Sequence, residues 1–101
     1  MRKHQISSYT QQFSMAQTVV KNLIESKNKG QIKYVLSVAE LKSKSDDLFV
    51  KKIKKLSDRA IMKLGISAEK TRMANLHIYN LEVNGVQRLI NKAQNALDAN
   101  E

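Results

Sequence analysis

The chain has 101 residues, the length of one domain, and its 42% hydrophobic residues suffice for a single lean core. Cysteine is absent, which excludes disulfides, thiolate metal sites and cysteine nucleophiles; no proline and only three glycines argue against most all-β folds. Eighteen Lys and Arg against nine Asp and Glu leave +9, a balance suited to nucleic acid, acidic proteins or anionic lipid surfaces. No apolar run approaches the roughly 20 residues that span a bilayer, and the basic start lacks the apolar stretch of a secretory signal, so a cytoplasmic location is expected.

Residues 5–28 carry Ile6, Tyr9, Phe13, Ala16, Val20 and Leu23 at spacings of three and four, which predicts a helix with a heptad seam. Met1-Arg2-Lys3-His4 ahead of it reads as a mobile basic arm. Asn28-Lys29-Gly30 reads as the stop, with Gly30 left-handed after the last turn. Residues 31–44 read as a second helix with Ile32, Val35, Leu36 and Ala39 inward and Val38 and Leu41 partly off the stripe.

Ser45 is a predicted N-cap, followed by Asp46 and Asp47 at the positive end of the helix dipole. A third helix over 46–64 then places Phe49, Ile53, Leu56, Ala60 and Leu64 on one face, with Gly65 ending it and Ile66 folding back on Ile61. Ser67 caps the fourth. Beyond it Leu76, Tyr79, Val83, Val86, Ile90, Ala93 and Leu97 keep heptad phase, which predicts one helix over 68–98. A split near Gly85, or a hairpin turning at Asn84-Gly85, are the alternatives. Residues 99–101 read as a frayed tail.

The expected architecture is therefore all-α: one domain over 1–101, a bundle of four helices, or five if the last is split. The long first and last helices both carry seams. A narrow seam needs a partner helix, supplied within the chain or by a second copy.

Chemistry-bearing patterns are few. His4 and His77 have no further ligand at helical spacing, no serine sits in a nucleophile motif, and Asp46-Asp47 is explained by the helix start. His77 reads as the edge of a helix face. Gly30, Gly65 and Gly85 are too scattered for a phosphate loop. No enzyme activity, metal or cofactor is expected.

The middle third holds the candidates. Residues 42–72 contain ten Lys or Arg against four acids, leaving +6. With Phe49 and Ile53 inward, Lys51, Lys54 and Lys55 fall on the opposite face, with Lys52 and Arg59 on a flank. The bland alternative is an ordinary solvated face. The run Leu64-Gly65-Ile66-Ser67 followed by Glu69-Lys70-Thr71 resembles the turn and recognition-helix start of LuxR-type and related bacterial regulators. It departs from them at Ile61 and Arg72, and in a Ser-to-Thr spacing one residue too long. A plain helix corner needs the same left-handed glycine, buried isoleucine and serine cap.

The leading expectation is a small basic nucleic-acid-binding protein, DNA ranked ahead of RNA, acting as a homodimeric regulator or accessory factor. Lys51, Lys54, Lys55 and Arg59 are assigned to phosphates and Lys70 and Arg72 to groove or phosphate contact, with Lys63 in the same nucleic-acid-binding set. The alternative is a helical interaction protein that binds a protein partner or an anionic membrane surface. In size and charge it resembles bacteriocin immunity proteins, and a phage or mobile-element inhibitor that masks a host protein belongs to the same class.

Overall fold

Short polar side chains divide the chain into six helices in a computed structural model that describes residues 2–100, with side-chain surroundings from 14 to 100. They are α1 (Arg2–Glu25), α2 (Lys29–Lys44), α3 (Asp46–Lys55), α4 (Asp58–Lys63), α5 (Ala68–Tyr79) and α6 (Val83–Ala99). No strand occurs among the described residues, so the all-α class holds. The helix count exceeds the expected four or five because two of the expected helices are each broken once.

Ser45 closes α2 and opens α3. Its N–H donates to the Leu41 carbonyl at 2.9 Å, and its Oγ accepts from the Asp47 and Leu48 amides at 3.1 and 3.4 Å. Ser57 caps α4 by accepting from Ala60 N–H, and Ser67 caps α5 by accepting from Lys70 N–H, both at 3.1 Å. Each cap satisfies an amide that the first helical turn leaves without a partner.

The expected stop at Gly30 is corrected. Lys27 takes the left-handed conformation (φ 61°), Asn28 Oδ1 caps α2 by accepting from Gln31 N–H at 3.2 Å, and Gly30 lies inside the helix. The left-handed residue is Lys27 because Asn28, with a short side-chain acceptor, is the better cap. Residues 2–4, expected ahead of the first helix, form its first turn, and α6 runs through Ala99.

The helix expected over 46–64 breaks at Leu56-Ser57. Leu56 is extended (φ −70°, ψ 117°), and the Ser57 cap with Asp58 behind it starts a new helix. A serine that bonds the backbone locally competes with helix continuation. Gly65 then ends α4 with φ 75°, its N–H donating to the Met62 carbonyl at 3.0 Å. Ile66 and Ile61 are both buried in one cluster, as the sequence implies.

The single helix expected over 68–98 is also corrected. It ends at Tyr79, where Asn80 Nδ2 donates back to the Leu76 carbonyl at 2.7 Å, and α6 begins at Val83 with Gly85 in its first turn. The heptad phase fails there: Val83 is 84% exposed and Tyr79 48% exposed. α5 instead buries Thr71, Ala74 and Ile78, while α6 buries Val86, Leu89, Ala93 and Leu97. A straight helix of that length, about 45 Å at 1.5 Å per residue, could not turn its apolar residues to two different neighbours.

The packing follows these stripes. α1 lies on α5, and α2 is the central helix, meeting α6 along its length and α3, α1 and α5 on other sides. Val38, expected off the stripe, is fully buried because α2 has neighbours on several sides. In α1, Ala16, Val20 and Leu23 are buried, while the seam residues Ile6, Tyr9 and Phe13 lie outside the described side chains. Ile32 of α2 meets Ala93 and Leu97 of α6 in a small second cluster. The end of the C-terminal seam, Ala93 and Leu97, therefore closes within the chain and supplies no argument for a dimer.

The two glycines make a paired test. Gly65→Ala puts a side chain at positive φ and is expected to cost about 1–2 kcal/mol. Gly85→Ala sits at helical φ, where helix propensity favours Ala by up to about 1 kcal/mol. A new Cβ there meets only the Leu81 side chain, most closely its flexible Cδ2 at 3.1 Å. Thermal denaturation should show a clear drop in Tm for Gly65→Ala and none beyond about a degree for Gly85→Ala.

Candidate nucleic-acid interface

α3 is anchored by its apolar side. Phe49 is fully buried, Ile53 and Leu56 pack against the same cluster, and the Phe49 ring lies 6.2 Å from that of Tyr79. Helical geometry then sends the polar residues outward. Lys51, Lys54 and Lys55 are exposed on α3, Arg59 and Lys63 on α4, and Lys70 and Arg72 on α5. Asp46 and Asp47 in the first turn of α3 and Lys52, Lys54 and Lys55 in its last turn suit the helix dipole, which accounts for part of this pattern.

The structure does not bring all seven together in one place. Lys54 and Arg72 both line an open groove between α3 and α5, together with Ile53, Asn75, Leu76 and Tyr79. Lys51 and Lys55 lie on the outer ridge of α3, one turn apart. Arg59 and Lys63 stand one turn apart on α4. Lys70 lines neither of the grooves that flank α3.

A second groove runs along the other side of α3, where it meets α2 and α4. Lys33 and Lys52 line it above Tyr34, Leu56, Ala60 and Leu64. Sequence reasoning missed Lys33 entirely. Only the packing of α2 beside α3 carries it to Lys52, nineteen positions later, and no local pattern announces that.

Neither groove holds a carboxylate in its lining. Among the described residues the only ion pair joins Lys42 to Asp46, at 2.5 Å. Lys42 therefore leaves the cationic surface: its side chain is only 9% exposed, and its Nζ lies 5.1 Å from the centre of the Tyr79 ring. The other basic side chains of 51–72 have no carboxylate within ion-pair reach among the described residues.

The grooves are set in place by polar ties between helices. Tyr34 OH donates to Asn75 Oδ1 at 2.7 Å, linking α2 to α5; burial pushes the phenol up to about 12. Gln31 Nε2 donates to the Gly65 carbonyl at 3.1 Å and fixes the α4–α5 corner to α2. That corner has the local chemistry the helix-turn-helix resemblance implies: left-handed Gly65, buried Ile66 and the Ser67 cap. The first two turns of α5 expose Glu69, Lys70 and Arg72. Comparison with family models, curated proteins and solved structures finds no match for this chain.

Elsewhere the chemistry is sparse. Among the described residues no three His, Asp or Glu side chains converge, and no helix is long and apolar enough to cross a membrane. His77 lines a cleft between α1, α5 and α6 with Lys21, Glu25 and Lys92 around it. Burial holds the imidazole below its ordinary value of 6.5. A group whose folded value is depressed binds its proton more readily when unfolded. Stability from this site is therefore present above pH 6.5 and is lost as pH falls below it. Chemical denaturation of His77→Gln should show a weaker loss of stability between pH 7.5 and 5.5 than the natural chain.

Proposed function

We propose that this protein binds nucleic acid through the exposed cationic surface of α3, α4 and the start of α5. The observation that carries this reading is the missing compensation. Lys51, Lys54, Lys55, Arg59, Lys63, Lys70 and Arg72 are all exposed, and none is within ion-pair distance of a carboxylate among the described residues. An acid one turn from a lysine pairs with it for a few tenths of a kcal/mol. Here Asp47 stands one turn before Lys51 and makes no pair with it. Cations left free in this way are available for phosphate contacts, and each contact releases counterions.

A second reading, an acidic protein partner, draws support from Met62. It is 75% exposed on α4, next to Lys63 and three residues after Arg59. A protruding apolar side chain among cations suits a mixed protein interface.

Fluorescence anisotropy with labelled oligonucleotides separates the two. The natural chain should bind at micromolar concentration or below in 50 mM salt, and its affinity should fall steeply as salt rises. Lys51→Gln/Lys54→Gln/Lys55→Gln should reduce the slope of log K against log salt by about two to three units. No binding to any nucleic acid under these conditions would remove the first reading and leave the second.

A further inference from the structure

Resting on that nucleic-acid reading, we propose that α3 is the helix presented to the nucleic acid. In this proposal it lies in the major groove of B-form duplex DNA, with Lys33 and Lys52 gripping one strand and Lys54 and Arg72 the other.

The arrangement of cations around α3 carries this. Lys52 and Lys54 are two positions apart, hence about 160° apart around a helix of 3.6 residues per turn. Each lines a different groove, Lys52 with Lys33 on the α2 side and Lys54 with Arg72 on the α5 side. Lys51 and Lys55 fall between them, on the outward ridge. α3 is thus a ridge with a pair of cations along each flank and no carboxylate in either groove lining. A single-stranded chain needs one cationic track; two tracks on opposite sides of one helix fit two phosphate backbones.

The dimensions agree. A helix with its side chains is about 10–12 Å across, and the major groove of B-form DNA is about 12 Å wide. The major groove of A-form RNA is deep and narrow, and side chains cannot read it.

The outward ridge also carries the groups that contact base edges. Lysine donates to guanine O6 and N7, a carboxylate accepts from the cytosine amino group, and apolar side chains meet the thymine methyl. Lys51, Asp47 and Leu48 supply these three types. Leu48 is 44% exposed on α3, so its side chain is accessible to a thymine methyl. α5, the helix that the helix-turn-helix resemblance would present, fits less well. It is buried through Thr71, Ala74 and Ile78, and its exposed start carries Lys70 and Arg72 with no second cationic flank.

The test compares the natural full-length chain with Lys33→Gln/Lys52→Gln, Lys54→Gln/Arg72→Gln and the combined fourfold variant. Circular dichroism first verifies unchanged helicity. The probes are a mixed-sequence 24-base-pair DNA duplex, the same sequence as duplex RNA, and one DNA strand alone. Each double variant should lower the salt slope on duplex DNA by about 1.8 units, and the fourfold variant by about twice that. Duplex RNA should bind at least tenfold more weakly than duplex DNA. Methyl green, a major-groove ligand, should displace the protein, and netropsin, a minor-groove ligand, should not. Equal binding of duplex RNA, preference for the single strand, displacement by netropsin alone, or a slope that responds to one flank only would overturn the major-groove proposal while leaving nucleic-acid binding intact. Failure to bind any of the three probes would end both.

Discussion

The burial of Phe49 is the contact on which the arrangement of charge depends. α3 has ten residues, and it is held to the rest of the molecule by one fully buried aromatic side chain with Ile53 and Leu56 in line behind it. A helix anchored along one stripe has no choice about its other side. Because the stripe runs through 49, 53 and 56, the lysines at 51, 54 and 55 face water and the lysine at 52 lies along the α2 flank. Removing a buried phenylalanine typically costs about 3–5 kcal/mol, a large part of the stability of so small a domain. The cationic ridge and the core are thus two sides of one helix, and the burial of Phe49 decides which way the lysines face.

Polar side chains do the remaining positioning. Three serines start three helices, and Ser45 does so while also closing the helix before it, which joins α2 and α3 with no intervening loop. Tyr34 reaches Asn75, and Gln31 reaches the Gly65 carbonyl, so the central helix holds both α5 and the α4–α5 corner by directed bonds. Thr71, the one buried polar residue among those described, satisfies its hydroxyl on the Ser67 carbonyl at 3.0 Å. Such bonds are each worth roughly 1 kcal/mol, and they set angles that apolar contact alone leaves loose. Lys42 is the exception among the lysines. It is drawn inward by Asp46 and the Tyr79 ring and serves the α2–α3–α5 junction rather than the surface.

Much of the fold was legible from local chemistry. The caps at Ser45 and Ser67, the left-handed Gly65 and the stripe Ala16, Val20, Leu23 follow from spacing and side-chain type alone. The breaks were harder. At Leu56-Ser57 and at Asn80 the apolar period continues in phase, so periodicity argues for a helix where a side chain bonding its own backbone ends one. The same period placed Tyr79 and Val83 inside, although the turn between α5 and α6 carries them to the surface. The candidate interface was legible by sign and by face on α3, where one helix decides both. Lys33 and the withdrawal of Lys42 were not, because each depends on which helices lie side by side. Pairing between helices distant in sequence leaves no periodic trace.

The central claim is that the cationic surface is under-neutralised within the chain. Its most direct test is the melting temperature as sodium chloride rises from 10 to 300 mM in the absence of any partner. Exposed like charges that repel one another are screened over a Debye length of about 10 Å at 0.1 M salt, so the account predicts that Tm climbs steadily over this range. A Tm that stays flat or falls would mean that the lysines are already matched by carboxylates, and that the surface holds no surplus charge to offer.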